Sequence, residues 1–144
     1  MSDIENYILN ARGKLPAYHP LIICLYTAPT FPDYCAPMVR IPRPETGIQV
    51  DDSLVEVLNS AVNLNAAIHD GAVMVGRISK DEIYKITGWS FRLYPSSLGD
   101  VFEPNRGSAF NSCLAMSYVE KVDALYMLSL DTATCFRSGE YYII

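Results

Sequence analysis

Ile68-His69-Asp70-Gly71-Ala72-Val73-Met74-Val75 is the stretch whose reading decides the fold. It follows a polar break at Asn63-Leu64-Asn65, and Asp70-Gly71 is a turn pair that opens a continuous apolar run. A short apolar run bounded by turn formers is the mark of a strand buried on both faces. Upstream, Ser53 and Glu56 stand at capping-box spacing, and Leu54, Val57, Leu58, Ala61 and Val62 share one helical face. The pattern predicts a helix over 53–63 and a buried strand over 71–78.

Working outward, Ser79-Lys80-Asp81 suits a hairpin turn into a second strand over 83–92. There Trp89, Phe91 and Tyr94 alternate as strand residues do, most simply as core packing, with base stacking as the rarer use. A loop over 95–107 carries Pro95, Gly99, Pro104 and Gly107. Ser108 is a candidate N-cap for a helix over 109–120 with Phe110, Cys113, Leu114 and Tyr118 on one face. The end of the chain is strand material: 124–129, 134–136 and 141–144, with Ser138-Gly139 turning the last hairpin.

Toward the N-terminus, Leu21 to Tyr26 reads as another buried strand. Five prolines (Pro29, Pro32, Pro37, Pro42 and Pro44) exclude a helix over 29–44 and leave an excursion with an edge strand at 38–41. Ser2 and Glu5 form a capping box for a helix over 3–12, which Gly13 ends. Strands interleaved with helices define an α/β (α+β) chain with a mixed central β-sheet flanked by helices. The 144 residues suit one domain, 1–144.

Bulk properties exclude several functions. Half of the residues are hydrophobic, too many for a disordered chain. A net charge of −5 with no basic stripe argues against a nucleic-acid polymer as partner. No run approaches the ~20 apolar residues of a membrane span. Cys24, Cys35, Cys113 and Cys135 are widely spaced; two disulfides are compatible with an even number. Burial as free thiols in a reducing compartment is the simpler reading, and the expected location is the cytoplasm.

The Asp-Gly-Ala turn opening a buried strand resembles the diadenylate cyclase domain of bacterial signalling proteins. Val122-Asp123-Ala124-Leu125 and Ser129-Leu130-Asp131-Thr132-Ala133-Thr134 are similar to that family's Thr-Asp-Ala and Ser-Glu-Glu-Thr-Gly-Thr segments. Gly88 to Tyr94 stands where the family has its Gly-x-x-Leu-Pro-Leu stretch. The resemblance covers about residues 20–142. It implies an ATP site in which Asp70 orients the attacking hydroxyl if the domain is active. His69 and Asp70 would hold Mn or Mg only together with a bound nucleotide.

The same resemblance places Asp70, Gly71, Ala72, Phe91, Leu93, Arg106, Ser108, Asn111, Ser112 and Ser129 around the ligand. Gly71 and Ala72 would let the backbone approach it closely. The family's phosphate-gripping Arg-His-Arg falls, without a gap, on Asn111, Ser112 and Cys113. Leu130 also replaces an acidic residue. A triphosphate therefore loses its bidentate partners unless Arg106, a turn upstream, takes the role. The resulting expectation is a degenerate domain that binds a nucleotide or nucleotide signal as a sensor without making cyclic di-AMP. An active divergent cyclase and a non-catalytic subunit that associates with copies of itself are the alternatives. A nucleotide site requires Asp70 and the start of the helix after Ser108 to share one cleft.

Overall fold

The computed structural model describes residues 3–15, 18, 20–95 and 106–144. Ser2 of the first capping box, and Gly99 and Pro104 of the loop, lie outside the described residues. The central element is β1 (Leu21–Thr27), an apolar run with partners on both sides. It pairs in parallel with β4 (Ala72–Arg77) and antiparallel with β6 (Val122–Leu128). Beyond β4 lies β5 (Lys85–Leu93), antiparallel to it. The short strands β2 (Cys35–Pro37) and β3 (Ile48–Gln49) both pair with β5. Beyond β6 come β7 (Ala133–Arg137) and β8 (Glu140–Ile143), each antiparallel to its neighbour. The result is an open, mixed, eight-stranded sheet in the order β2-β5-β4-β1-β6-β7-β8, with β3 also on β5.

Among the described residues three α-helices cover it: α1 (Asp3–Asn10), α2 (Leu54–Leu64) and α3 (Ser108–Met116). One sheet face meets α1 and α2 through Ile8, Leu54, Leu58, Val73, Trp89 and Tyr126. The opposite face meets α3 through Cys24, Met74, Phe110, Cys113, Leu125 and Phe136. Burial of both faces is why β1 and β4 read as unbroken apolar runs instead of alternating ones.

Several local expectations change. The edge strand forms at Cys35–Pro37, not 38–41. Just past Pro37 the Met38 N–H still reaches the Ser90 carbonyl (3.0 Å), but the strand does not continue beside the bulge in β5. Ser53 flanks α2 without a capping bond from its side chain. Its φ of −90° and ψ of 8° are nearly helical, and its N–H and hydroxyl both bond the Asp51 carboxylate instead. Those two bonds hold the Asp51 carboxyl below its usual pKa. Gly107, at φ +86°, takes the N-cap position of α3, so Ser108 is the first helical residue. The helix ends at Met116 and leaves Tyr118 exposed, its ring over the tight turn at Gly139.

The alternation of Trp89 and Phe91 also fails. Ala72 pairs with Phe91 and Met74 with Gly88, so β5 carries an extra residue between them. That residue pair, Trp89-Ser90, forms a bulge in which Ser90 is left-handed (φ +57°). As a consequence Trp89 packs on the α2 face and Phe91 on the α3 face. The Phe91 ring occupies the space a side chain at residue 88 would need, which explains Gly88.

All four cysteines are free thiols. Cys24, Cys113 and Cys135 are buried, and only Cys35 is half-buried. Burial pushes the thiol of Cys113 up to about 12 and that of Cys35 up to about 11. Thiol-reactive dye on the native protein is expected to label Cys35 first and slowly, and the other three only on denaturation. Rapid labelling of two or more thiols would contradict this packing.

Candidate functional site

Asp70 follows a short 3-10 turn (Ala66–His69) that Asn65 caps, its Oδ1 accepting from the Ala67 N–H at 3.1 Å. The turn delivers Asp70 to the start of β4, and Gly71 completes the entry at φ +93°. A side chain at residue 71 would stand 2.7 Å from Met38 Cε, 2.8 Å from the Ser90 carbonyl carbon and 2.9 Å from the Phe91 oxygen. The close approach at Gly71 is therefore to β5 and Met38 of the protein itself. Ala72 is buried beside it, and the Phe91 ring is buried under Phe31, with ring centroids 4.7 Å apart. Leu93 is half-buried at the end of the same strand.

The Asp70 carboxylate is exposed, and its Oδ2 lies 3.3 Å from Nη2 of Arg40. Arg40 comes from the proline-rich excursion and is itself well covered, with 19 % of its side chain exposed. Its Nε–H is shared between the Ala67 carbonyl (3.2 Å) and Ser90 Oγ (3.0 Å). Its Nη1 donates to the Val39 carbonyl at 3.0 Å. Ser90, fully buried, donates in turn to the Asp70 carbonyl. The excursion is tied down further by Arg43, which donates to the carbonyls of Trp89 (2.6 Å) and Met38. Sequence reasoning missed Arg40 and Ser90. Neither has a motif; one lies 30 residues before Asp70 and the other 20 after it.

His69 is exposed, and its Nδ1–H donates to the Ala66 carbonyl at 2.6 Å within its own turn. Among the described residues no three of His, Cys, Asp and Glu stand close enough to hold a metal ion. His69 and Asp70 are thus neighbours along the chain with no third protein ligand beside them.

Register places the other candidates. Phe91, Ala72, Ile22, Met127 and Thr134 form one row across five strands. Ile22 and Met127 are only half-buried although their strands are central, so this row is the open part of the α3 face. Ser129 stands just past the end of β6, at the same edge of the sheet as the start of β4. It bonds Thr132 through its backbone N–H (2.9 Å).

α3 packs mainly over β6, with β5 and β7 also against it. Its last turn lies at the β7–β8 hairpin, where Ser117 Oγ accepts from the Gly139 N–H (2.8 Å). Near its start Phe110 packs against Phe136 (5.0 Å) and Tyr141 (4.8 Å), the β7–β8 pair one step inside that hairpin. The Arg106 guanidinium lies over those rings, 5.1 Å from Phe110 and 5.6 Å from Tyr141. Asp70 and Ser129 share one end of the sheet, and α3 lies on the face that carries Ala72, Ile22 and Met127, its start beside Phe136 and Tyr141. Three inter-strand spacings, about 14 Å, separate β4 from β7.

Of the positions matching Arg-His-Arg, Cys113 is fully buried, and Asn111 and Ser112 are half-buried. Asn111 Nδ2 donates back to the Gly107 carbonyl at 3.0 Å. Ser108 is exposed at the first turn, beside Arg106.

No family model and no curated protein matches the chain. Solved structures do. A hypothetical membrane-spanning protein from Bacillus cereus is similar over 99% of this chain, with TM-score 0.66 and 20% identity. This chain spans 64% of that one. DacA from Staphylococcus aureus, a diadenylate cyclase, is similar over 97% of this chain and 85% of its own, with TM-score 0.57 and 13% identity. The class that these likenesses define is a mixed α+β fold similar to that of a diadenylate cyclase domain. At such identities the likeness is one of fold alone. Among the described residues no helix is long and apolar enough to cross a membrane.

Proposed function

We propose that this chain is a degenerate diadenylate-cyclase-like domain that binds a nucleotide or nucleotide signal as a cytoplasmic sensor and does not make cyclic di-AMP. The observation that carries the reading is the half-open strip of the α3 face formed by Ala72, Ile22 and Met127, with Asp70 and Ser129 at its end and α3 packed on the same face. The floor of that strip, Ala72, Ile22 and Met127, is apolar and suits a flat base. The phosphates would meet the N–H groups and partial positive charge of the α3 N-terminus, with Arg106 beside them. Cys113 in place of an arginine, buried and facing the core, supports loss of the triphosphate grip.

Calorimetry against cyclic di-AMP, ATP and AMP tests the reading, and heat from none of them would overturn it. Incubation with ATP and Mn2+ is expected to yield no cyclic di-AMP by mass spectrometry. The rival, an active divergent cyclase, draws on Arg106, whose place at the start of α3 could serve a triphosphate. Product in that incubation would favour it. Arg106→Ala is expected to weaken nucleotide binding by roughly tenfold to a hundredfold, the loss of one charge-assisted contact of ~1.5–3 kcal/mol. Lys80→Ala, at the opposite end of the sheet, is the control. Equal affinities for the two variants would exclude Arg106 from the site.

A further inference from the structure

Resting on the nucleotide reading above, we infer that Arg40 takes the place of a divalent metal as the charge partner of Asp70, so that the site receives its nucleotide without a metal ion. The pairing is built into the fold. Arg40 cannot swing aside to free the carboxylate, because its Nε–H and Nη1 are held by Ala67, Ser90 and Val39. Met38 Sδ, 3.6 Å from Nη2, packs at the same nitrogen that meets Asp70. Ser90, which holds both Arg40 and the Asp70 carbonyl, is wholly buried and left-handed, a conformation that persists only where surroundings enforce it.

A divalent cation at Asp70 would sit within a few ångströms of that fixed guanidinium. It would meet like-charge repulsion instead of an open carboxylate. It would also find no third side-chain ligand among the described residues. With Nη2 on the carboxylate and one Nη1–H on Val39, the guanidinium keeps its second Nη1–H for a phosphate oxygen. The ligand class that follows is a nucleotide of low charge, such as a cyclic dinucleotide or a monophosphate, whose phosphates need no metal to offset them. ATP with its bound cation fits poorly.

The test is calorimetric titration of cyclic di-AMP, AMP and ATP into the wild-type chain, once in EDTA and once with excess Mn2+. The expected result is a cyclic dinucleotide or monophosphate affinity that changes less than about twofold between the two conditions. Arg40→Gln should weaken binding in EDTA by about tenfold or more, and Arg40→Lys by less, because the charge remains but the fork is lost. Circular dichroism and urea unfolding of both variants separate loss of site from loss of fold. Binding that appears only with Mn2+, or strengthens tenfold with it, overturns the inference while leaving the nucleotide reading intact. If no nucleotide binds in either condition, the nucleotide reading fails. The metal half is then decided by Mn2+ alone, read by its electron paramagnetic resonance. Wild type should leave the free-ion signal unchanged, and an Asp70-dependent loss of that signal would overturn the inference.

Discussion

Trp89→Ala is expected to lower stability by about 4–5 kcal/mol, a large share of the ~5–15 kcal/mol typical of a domain. Trp89 is wholly buried in the core under α2, and it is the only tryptophan in the chain. Its Nε1–H donates to the Glu45 carbonyl at 2.8 Å, and its own carbonyl accepts from Arg43. The substitution therefore opens a cavity and also frees the excursion that carries Arg40. Urea unfolding gives the stability loss, and the same variant should bind nucleotide poorly even where it is folded. Trp89→Phe keeps most of the volume and removes only the N–H, so its cost should be nearer ~1–2 kcal/mol. A loss below ~1 kcal/mol for Trp89→Ala would contradict the burial described.

Gly71→Ala is the second large effect, about 2–4 kcal/mol. Part of it is the left-handed conformation, which costs an L-residue ~1–2 kcal/mol. The rest is overlap with Ser90 and Phe91, whose contacting atoms are backbone and paired in the sheet. Gly47→Ala separates the two causes. Its φ is +89°, and a side chain there meets nothing within 4 Å. Equal losses for the two variants, measured by urea unfolding, would mean that close packing at Gly71 contributes nothing.

These two positions show how far the residues alone could be read. Asp70-Gly71 was legible as a turn because glycine after aspartate is local chemistry. That Gly71 backs onto Met38 and β5, and not onto a ligand, was not legible, since those neighbours arrive from distant segments. Trp89 and Phe91 looked like same-face residues. The bulge at Ser90 put them on opposite faces, and a bulge is a property of two strands in register. The start of α3 shifted by one residue: Gly107, at φ +86°, holds the N-cap position and Ser108 is already helical.

The site divides along the same line. Asp70, Arg106 and the positions Asn111, Ser112 and Cys113 could be proposed from the sequence through its resemblance to the cyclase domain. Arg40 could not, because an arginine among prolines carries no periodic or spacing signal. Only when β2 and β3 pair with β5 does the excursion fold back and lay that guanidinium beside Asp70.

By itself the sequence determined the strands β1, β4, β5 and β6, the helices α1 to α3 within a few residues, and the mixed α+β class. Each follows from periodicity and end signals within a dozen residues, which sense only near neighbours. Only the tertiary structure decided the bulge in β5, the placing of Asp70 and Ser129 at one sheet end, and the Arg40–Asp70 pair. Those depend on strand order and register, which are set by burial of both sheet faces at once and so are written in no single segment.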